Sequence, residues 1–393
     1  MGIRRLIYLD HAATTAVDAR VLEAMLPFWT ERYGNASSLH RLGRDAAHAL
    51  DEARRSVAQI LACQPDEIVF TGCGSESDNL AVRGVALAQR ARGKGRHIVT
   101  SAMEHHAVGH TVQELVEHFG FEATFVGVDR SGRVNPDDVA RALRPDTVLV
   151  SIMYANNEVG TIQPLAEIGR ICRAREIPLH TDAVQAGGWL SLDVDALQVD
   201  LLSLGAHKFC GPKGVGALYV RQGTPLWPLQ TGGGHEGGRR AGTENVPYIV
   251  GLATALRLAH EERAAKNRRI AALRDRLIAG VLARVPDAYL TGHPTERLPN
   301  SASFVLRGVE IEGVLIGLDL EGICASSGSA CNSASAKPSH VLTAMGLTPP
   351  DVYGHLRLTL GHENTDADVD KVLDVLPGIV ARLRAHAPVV MGR

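Results

Sequence analysis

Lys208 ends an apolar run, Val199-Asp-Leu-Leu-Ser-Leu-Gly-Ala-His-Lys208, and a Gly/Pro-rich turn follows it directly. A lysine at the mouth of a buried strand can have its ammonium partly desolvated, which makes the amine nucleophilic near neutral pH. That suits Schiff-base chemistry, although a lone lysine after a strand is more often a surface cation. Cys331 is the second reactive type, set in Ser326-Ser-Gly-Ser-Ala-Cys-Asn-Ser-Ala-Ser335 without apolar periodicity. Free cysteines usually pack as small hydrophobes, a reading that fits Cys172 and Cys63 but not Cys331. A thiol on a polar loop suits a nucleophile that visits a site and carries something away.

Elements able to place such groups surround them. From about residue 44 to 260, β-rich runs at 68–71, 97–101, 147–153, 177–181, 199–203 and 215–220 alternate with helical segments. One such segment starts at Pro164, which suits a first helical turn, and lines Leu165, Ile168 and Cys172 along one face. Alternation of this kind predicts an α/β domain with a mainly parallel sheet covered by helices. Helical runs at 249–264 and 268–285, a strand at 301–306 and C-terminal helices predict a smaller α+β domain, joined by the N-terminal segment.

In open α/β sheets, ligands bind beyond the carboxyl ends of the strands. After 68–71 comes Gly72-Cys-Gly-Ser-Glu-Ser-Asp78, where Ser75 and Asp78 read as a capping pair. A Gly-rich turn that opens a helix can cradle a phosphate, although a plain strand-to-helix turn is commoner. The segment matches neither dinucleotide nor Walker patterns. Past 97–101 come Glu104 and His105, whose imidazole could stack on a flat ring or move protons. Past 147–153, Asn156-Asn-Glu158 could reach a substrate or a ring oxygen. Asp182 and Gln185 follow 177–181, and a carboxylate buried there needs a partner such as a protonated pyridine nitrogen. His207-Lys208 completes the series. Phosphate cradle, ring-stacking histidine, acidic ring partner and amine, on successive strands, together describe a pyridoxal 5′-phosphate (PLP) site. In the small domain, Arg357 lies on a short alternating run and could clamp an amino-acid carboxylate or pair structurally with an acid.

Bulk properties narrow the class. The chain has 393 residues, 45% hydrophobic and 21% charged, with a formal charge of −2, so nothing favours nucleic-acid binding. No run reaches the ~20 apolar residues of a membrane span, and no signal-peptide pattern follows Met1. The six cysteines contain no C-x-x-C, which suggests neither a zinc site nor a disulfide framework. A reduced, cytoplasmic enzyme without a resident metal is expected.

These segments resemble the NifS/IscS-type cysteine desulfurases of the class V aminotransferase superfamily. The likeness runs from Tyr8-Leu-Asp-His-Ala-Ala-Thr-Thr15 through Thr71–Asn79, Asn156–Gly160, Asp182–Gln185 and Ala206–Lys213. It continues in Gly232–Glu236, Arg240–Asn245 and Ser326–Cys331. The resemblance implies a PLP fold-type I large domain at 16–259, built on a seven-stranded-type sheet. A small α+β domain would be made from 1–15 and 260–393, with a mobile cysteine loop at about 324–340. Lys208 would hold PLP as a Schiff base, Asp182 would pair with the ring nitrogen, and Gln185 with the ring hydroxyl. Asn157 would lie beside it near the substrate. His105 would stack on the ring and act in acid/base steps. Gly74, Ser75 and His207 would hold the phosphate, joined by Thr243 from the other subunit of a homodimer. Arg357 would bind the carboxylate of L-cysteine. Cys331 would take the sulfur as a persulfide while L-alanine leaves, and at most pass as a ligand to a cluster being assembled. Sulfur would go to an iron–sulfur scaffold or a tRNA-thiolation enzyme. An aminotransferase or selenocysteine lyase of the same fold is the alternative, with a non-catalytic sulfur carrier behind it. Two departures stand out: Gly205 replaces the family's phosphate serine, and Cys73 sits in the cradle. The chain also stops at Val389-Val-Met-Gly-Arg393, without the longer tail of some relatives, which leaves the acceptor open.

Overall fold

Ile68-Val-Phe-Thr71 is β-branched and aromatic throughout, and it forms a strand buried on both faces. The computed structural model describes residues 5–328 and 338–386. Strands are numbered along the chain from β1 (Ile7–Tyr8). Seven of them, β2 (Ile68–Thr71), β3 (His97–Ser101), β4 (Glu122–Val126), β5 (Thr147–Ser151), β6 (Leu179–Asp182), β7 (Leu201–Gly205) and β8 (Gly216–Val220), make one sheet. Its order is β2-β8-β7-β6-β5-β3-β4, parallel except at β8, which is antiparallel to both neighbours. Alternate residues of a strand serve opposite layers: Ile98 packs in one buried cluster and Val99 in the other.

Six of the seven strands lie on the runs expected from sequence. The seventh, β4, was missed because Glu122-Ala-Thr-Phe-Val126 is an edge strand with mostly half-exposed side chains, so no apolar run marks it. The helical runs at 249–264 and 268–285 are one uninterrupted helix, Val246–Arg284. Its exposed middle, rich in Glu, Arg, Lys and Ala, reads as a gap in apolar periodicity, yet those residues are strong helix formers. Pro164 precedes the helix Leu165–Arg173 as its cap residue, and Leu165, Ile168 and Cys172 do form its buried face.

A second layer of structure lies beyond the sheet. β9 (Ala288–Leu290), β10 (Ser301–Leu306) and β12 (His355–Thr359) form an antiparallel sheet in the order β12-β10-β9. Between them in sequence, β11 (Ile323–Cys324) pairs in parallel with β1, which ties the N-terminal segment to this part of the molecule. Leu252 and Leu256 of the long helix belong to the core on the seven-stranded sheet. Ile270, Leu277 and Val281 of the same helix pack with Leu9, Phe304, Leu356 and Val372. One rigid element thus carries both cores. No described helix is long and apolar enough to cross a membrane.

Candidate active site

The carboxyl ends of β2, β3, β5, β6 and β7 converge on a cavity of ≈ 310 Å³, at the small end of the range for small-molecule sites. Its wall contains Lys208, Asp182, Gln185, His105, Asn157, His207, Gly74, Ser75 and Arg357. Nine of the residues expected from sequence therefore share one chamber.

Lys208 closes a single 3₁₀ turn after β7 and is half-buried. Its Nζ donates to the carbonyls of Ala12 at 2.6 Å and Ala13 at 2.8 Å. Gln185 Nε2 donates to the same Ala12 carbonyl at 2.9 Å. The N-terminal segment thereby aims the amine, a relation that no local pattern announces.

Asp182 is the last residue of β6, and its Oδ1 accepts from Val184 N at 2.9 Å. Burial pushes its carboxyl above the usual range, with His105 and Lys208 acting in the opposite sense. His105 caps the helix His106–Phe119, its Nδ1 accepting from Ala107 N at 3.1 Å. A neutral ring there carries its proton on Nε2, and burial holds its pKa below the ordinary histidine value. His207 Nδ1 meets Thr14 Oγ1 at 3.1 Å, and burial together with Lys208 and Lys213 brings its pKa down to about 4.

The helix Gly74–Ala91 starts at the end of β2 with amides that have no intrahelical acceptor. The expected Ser75/Asp78 capping pair does not form. Cys73 is the cap, its Sγ accepting from Glu76 N at 3.4 Å, while Glu76 Oε2 accepts from Gly72 N at 2.6 Å. Ser75 stays exposed and Asp78 turns inward, 1% exposed. A Cβ on Gly74 would come within 2.7 Å of Val184 Cγ2, so only glycine brings this backbone against the cavity. A Cβ on Gly205 would sit 3.5 Å from Gly74 N and from Val184 Cγ1, ordinary contact distances.

Arg357 lies on β12, all five residues of which are buried, so the alternation suggested by the sequence is not a one-sided face. Its Nη2 donates to Asp10 Oδ1 at 2.8 Å, and its Nη1 to the carbonyls of Asn157 at 3.0 Å and Gly328 at 3.1 Å. Its Nε has no partner among the described residues. Of the trio at 156–158, Asn156 is committed to the turn, its Oδ1 accepting from Glu158 N and Val159 N. Thr243 lies outside this chamber, exposed on a separate cleft with Gly72, Arg240 and Glu244. Cys331 lies outside the described residues, between Gly328, on the cavity wall, and His340, also on it.

Sequence reasoning missed several lining groups. Ala12 and Ala13 act only through their carbonyls, Asp78 reads in sequence as a cap, and Asp10, itself not on the wall, acts on Arg357 through an ion pair that spans the chain. His106 and His340 stand together at the wall, ring centroids 4.7 Å apart, and His340 Nε2 meets the Glu104 carbonyl at 2.8 Å. The set fits a flat, cationic, phosphate-bearing cofactor. A glycine-lined helix end suits the phosphate, a buried carboxylate suits a ring cation, and an imidazole and an amine stand beside them.

A family model, aminotransferase class-V, matches residues 7–372. The chain is 52% identical over 382 residues to a cysteine desulfurase IscS of Methanosarcina thermophila, covering 97% of this chain and 94% of that one. Among solved structures, a NifS-like protein superposes with a TM-score of 0.90 at 39% identity, over 96% of this chain and 100% of that one. A structure titled SspA in complex with cysteine matches with a TM-score of 0.80 at 35% identity, over 91% of this chain and 100% of that one.

Proposed function

This chain belongs to the class-V aminotransferase family and is a cysteine desulfurase, and we propose that it holds PLP on Lys208 and receives sulfur on Cys331. PLP, when bound, supplies a carbonyl for amine exchange and an electron sink for bonds at the substrate's carbons. Lys208 provides the amine, aimed by the Ala12 and Ala13 carbonyls. Asp182 would supply a carboxylate to the ring nitrogen, and Gln185 a hydrogen bond to the ring hydroxyl. His105 would face the ring and would move protons through Nε2, its Nδ1 being held by Ala107 N. Gly74, Ser75 and His207 hold the phosphate, with Thr243 contributed across a homodimer. Arg357 would bind the substrate carboxylate, and Asn157 would stand beside Gln185 near the substrate. The Cys331 thiol would attack the substrate sulfur, so that an S–S bond forms as the substrate's C–S bond breaks. The carbon keeps the electron pair and takes up a proton to leave as L-alanine, and the persulfide sulfur then passes to an iron–sulfur scaffold or a tRNA-thiolation enzyme in the cytoplasm. In the same reading, residues 16–259 form the cofactor domain, and 1–15 with 260–393 the domain that carries Cys331.

The single observation that supports this most is that Lys208, Asp182, His105 and Arg357 line one cavity. With L-cysteine and a reductant, the purified protein is expected to release alanine and sulfide in equal amounts. Cys331→Ala should stop sulfide release and keep the visible absorption of bound PLP, whereas Lys208→Ala should lose both. Unchanged turnover in Cys331→Ala removes that thiol from the reaction. Keto-acid-dependent amino transfer that outpaces sulfide release moves the protein to the aminotransferase alternative.

A further inference from the structure

Asp78 has no place in the scheme above, yet it is buried in the wall of the same cavity. One ligand atom each from Asp78, His105 and Asp182 lie within 4.8 Å of one another. Asp78 Oδ1 has no hydrogen-bond partner among the described residues. Its neighbours offer no fixed cation: His105, the third member of the cluster, has its pKa held below the ordinary histidine value by burial. His180 Nε2 stands 3.6 Å from Oδ1, but that ring meets Ser151 Oγ at 2.8 Å and Ser203 Oγ at 3.0 Å. Burial brings the His180 pKa down to about 3, so the ring is neutral. Ser203 is uncharged, and Glu104 and Asp182 are acids.

Two carboxyls this close, away from water, cannot both ionise without a cation for each. Asp182 has the claim to the charge: it accepts a backbone N–H from Val184, and it faces His105 and Lys208. Asp78 shares His105 but accepts no backbone N–H among the described residues, and only a hydrogen bond from Ser203 acts to lower its pKa. Burial and the Asp182 charge both drive its carboxyl well above the usual range.

We propose that Asp78 is a positioning residue held as an uncharged carboxylic acid, whose proton makes Asp182 the sole carboxylate presented to the cofactor ring. The inference rests on the reading of Asp182 as the ring nitrogen's partner. Protonated, Asp78 leaves Asp182 without a second negative charge beside it. Ser203 hydrogen-bonds to Asp78 and is itself tied to His180, which is tied to Ser151.

Difference infrared spectroscopy of ¹³C-aspartate-labelled holoenzyme tests the assignment. A protonated-carboxyl stretch is expected at neutral pH, shifted in D₂O, retained in Asp182→Asn and absent from Asp78→Asn. No such band in the labelled wild type, or a band kept by Asp78→Asn, overturns the proposal. PLP retention supplies a second readout. Asp78→Asn, a neutral donor of the same shape, should hold PLP as the wild type does. Asp78→Val, which removes the polar group and leaves the Ser203 hydroxyl without that partner, should release it about tenfold more readily, the order of one buried polar group left unpaired. Equal losses in both variants mean that an Asp78 anion was required, which also overturns the proposal. Should Asp78→Asn not fold, the wild-type band alone decides. Should PLP not bind at all, the functional reading fails, while the infrared band of the unloaded protein still reports the proton.

Discussion

At the residue scale, Gly205 and Glu104 make the sharpest statements. The backbone at Gly205 is extended, and an added Cβ meets its neighbours at normal contact distance, so a serine fits there. Gly205→Ser should bind PLP about fivefold more tightly, the worth of about 1 kcal/mol for one hydroxyl hydrogen bond. A fluorescence or absorbance titration of the unloaded protein reads this directly. Gly74→Ala should do the opposite, because its Cβ would strike Val184. Glu104 is buried, with Oε1 accepting from Ser101 Oγ at 2.5 Å and Met153 N at 3.0 Å. Burial raises its pKa from 4.5 to about 8. Below pH 4.5 the carboxyl is protonated both folded and unfolded, so its contribution is fully present. As pH rises toward about 8 the unfolded chain ionises first, and that stability drains away. Glu104→Gln cannot ionise and keeps the Oε1 acceptor, so urea unfolding across this pH window should show a flatter curve. Identical pH slopes in the two proteins would remove Glu104 as the cause.

At the element scale, the start of the helix Gly74–Ala91 depends on an unusual cap. Cys73 accepts from Glu76 N through sulfur, a longer and weaker contact than an oxygen cap gives. Cys73→Ser should preserve or improve the cap, and Cys73→Ala should lower stability by about 1 kcal/mol. Thermal unfolding of the two variants beside the wild type separates these outcomes. The carboxylate of Glu236 fixes another junction, accepting from both Arg54 nitrogens at 2.7 and 2.8 Å and from Phe70 N at 2.8 Å. The loop before the long helix is thereby anchored to β2, next to the helix end that faces the cavity.

At the scale of the whole molecule, the site exists because distant segments meet. Asp10 and Arg357 are 347 positions apart, and their ion pair joins the N-terminal segment to β12. Arg357 is almost wholly buried, so its charge depends on such partners. Asp10→Ala should cost about 2 kcal/mol, because it leaves a buried charged donor short of an acceptor. It should also raise KM for L-cysteine through a less fixed Arg357. Urea unfolding and steady-state kinetics measure the two effects, and a variant with unchanged stability argues against the pair's structural weight.

The sequence alone determined the alternation of strands and helices, and which polar residues stand just past each strand. Both are local: β-branched runs declare strands, and Asp182, His105 and Lys208 follow them at short range. It also carried the likeness that names the chemistry. Local patterns failed where the determinant was not local. β4 lacks an apolar run because it lies at a sheet edge, and the middle of the long helix hides its continuity behind exposed charge. Tertiary structure decided the rest: which carbonyls aim Lys208, which acid neutralises Arg357, and that Asp78 turns in beside Asp182 rather than capping its own helix. Those choices depend on groups tens to hundreds of residues apart being buried together. The energies of such contacts come from proximity and lost water, which leave no periodic mark along the chain.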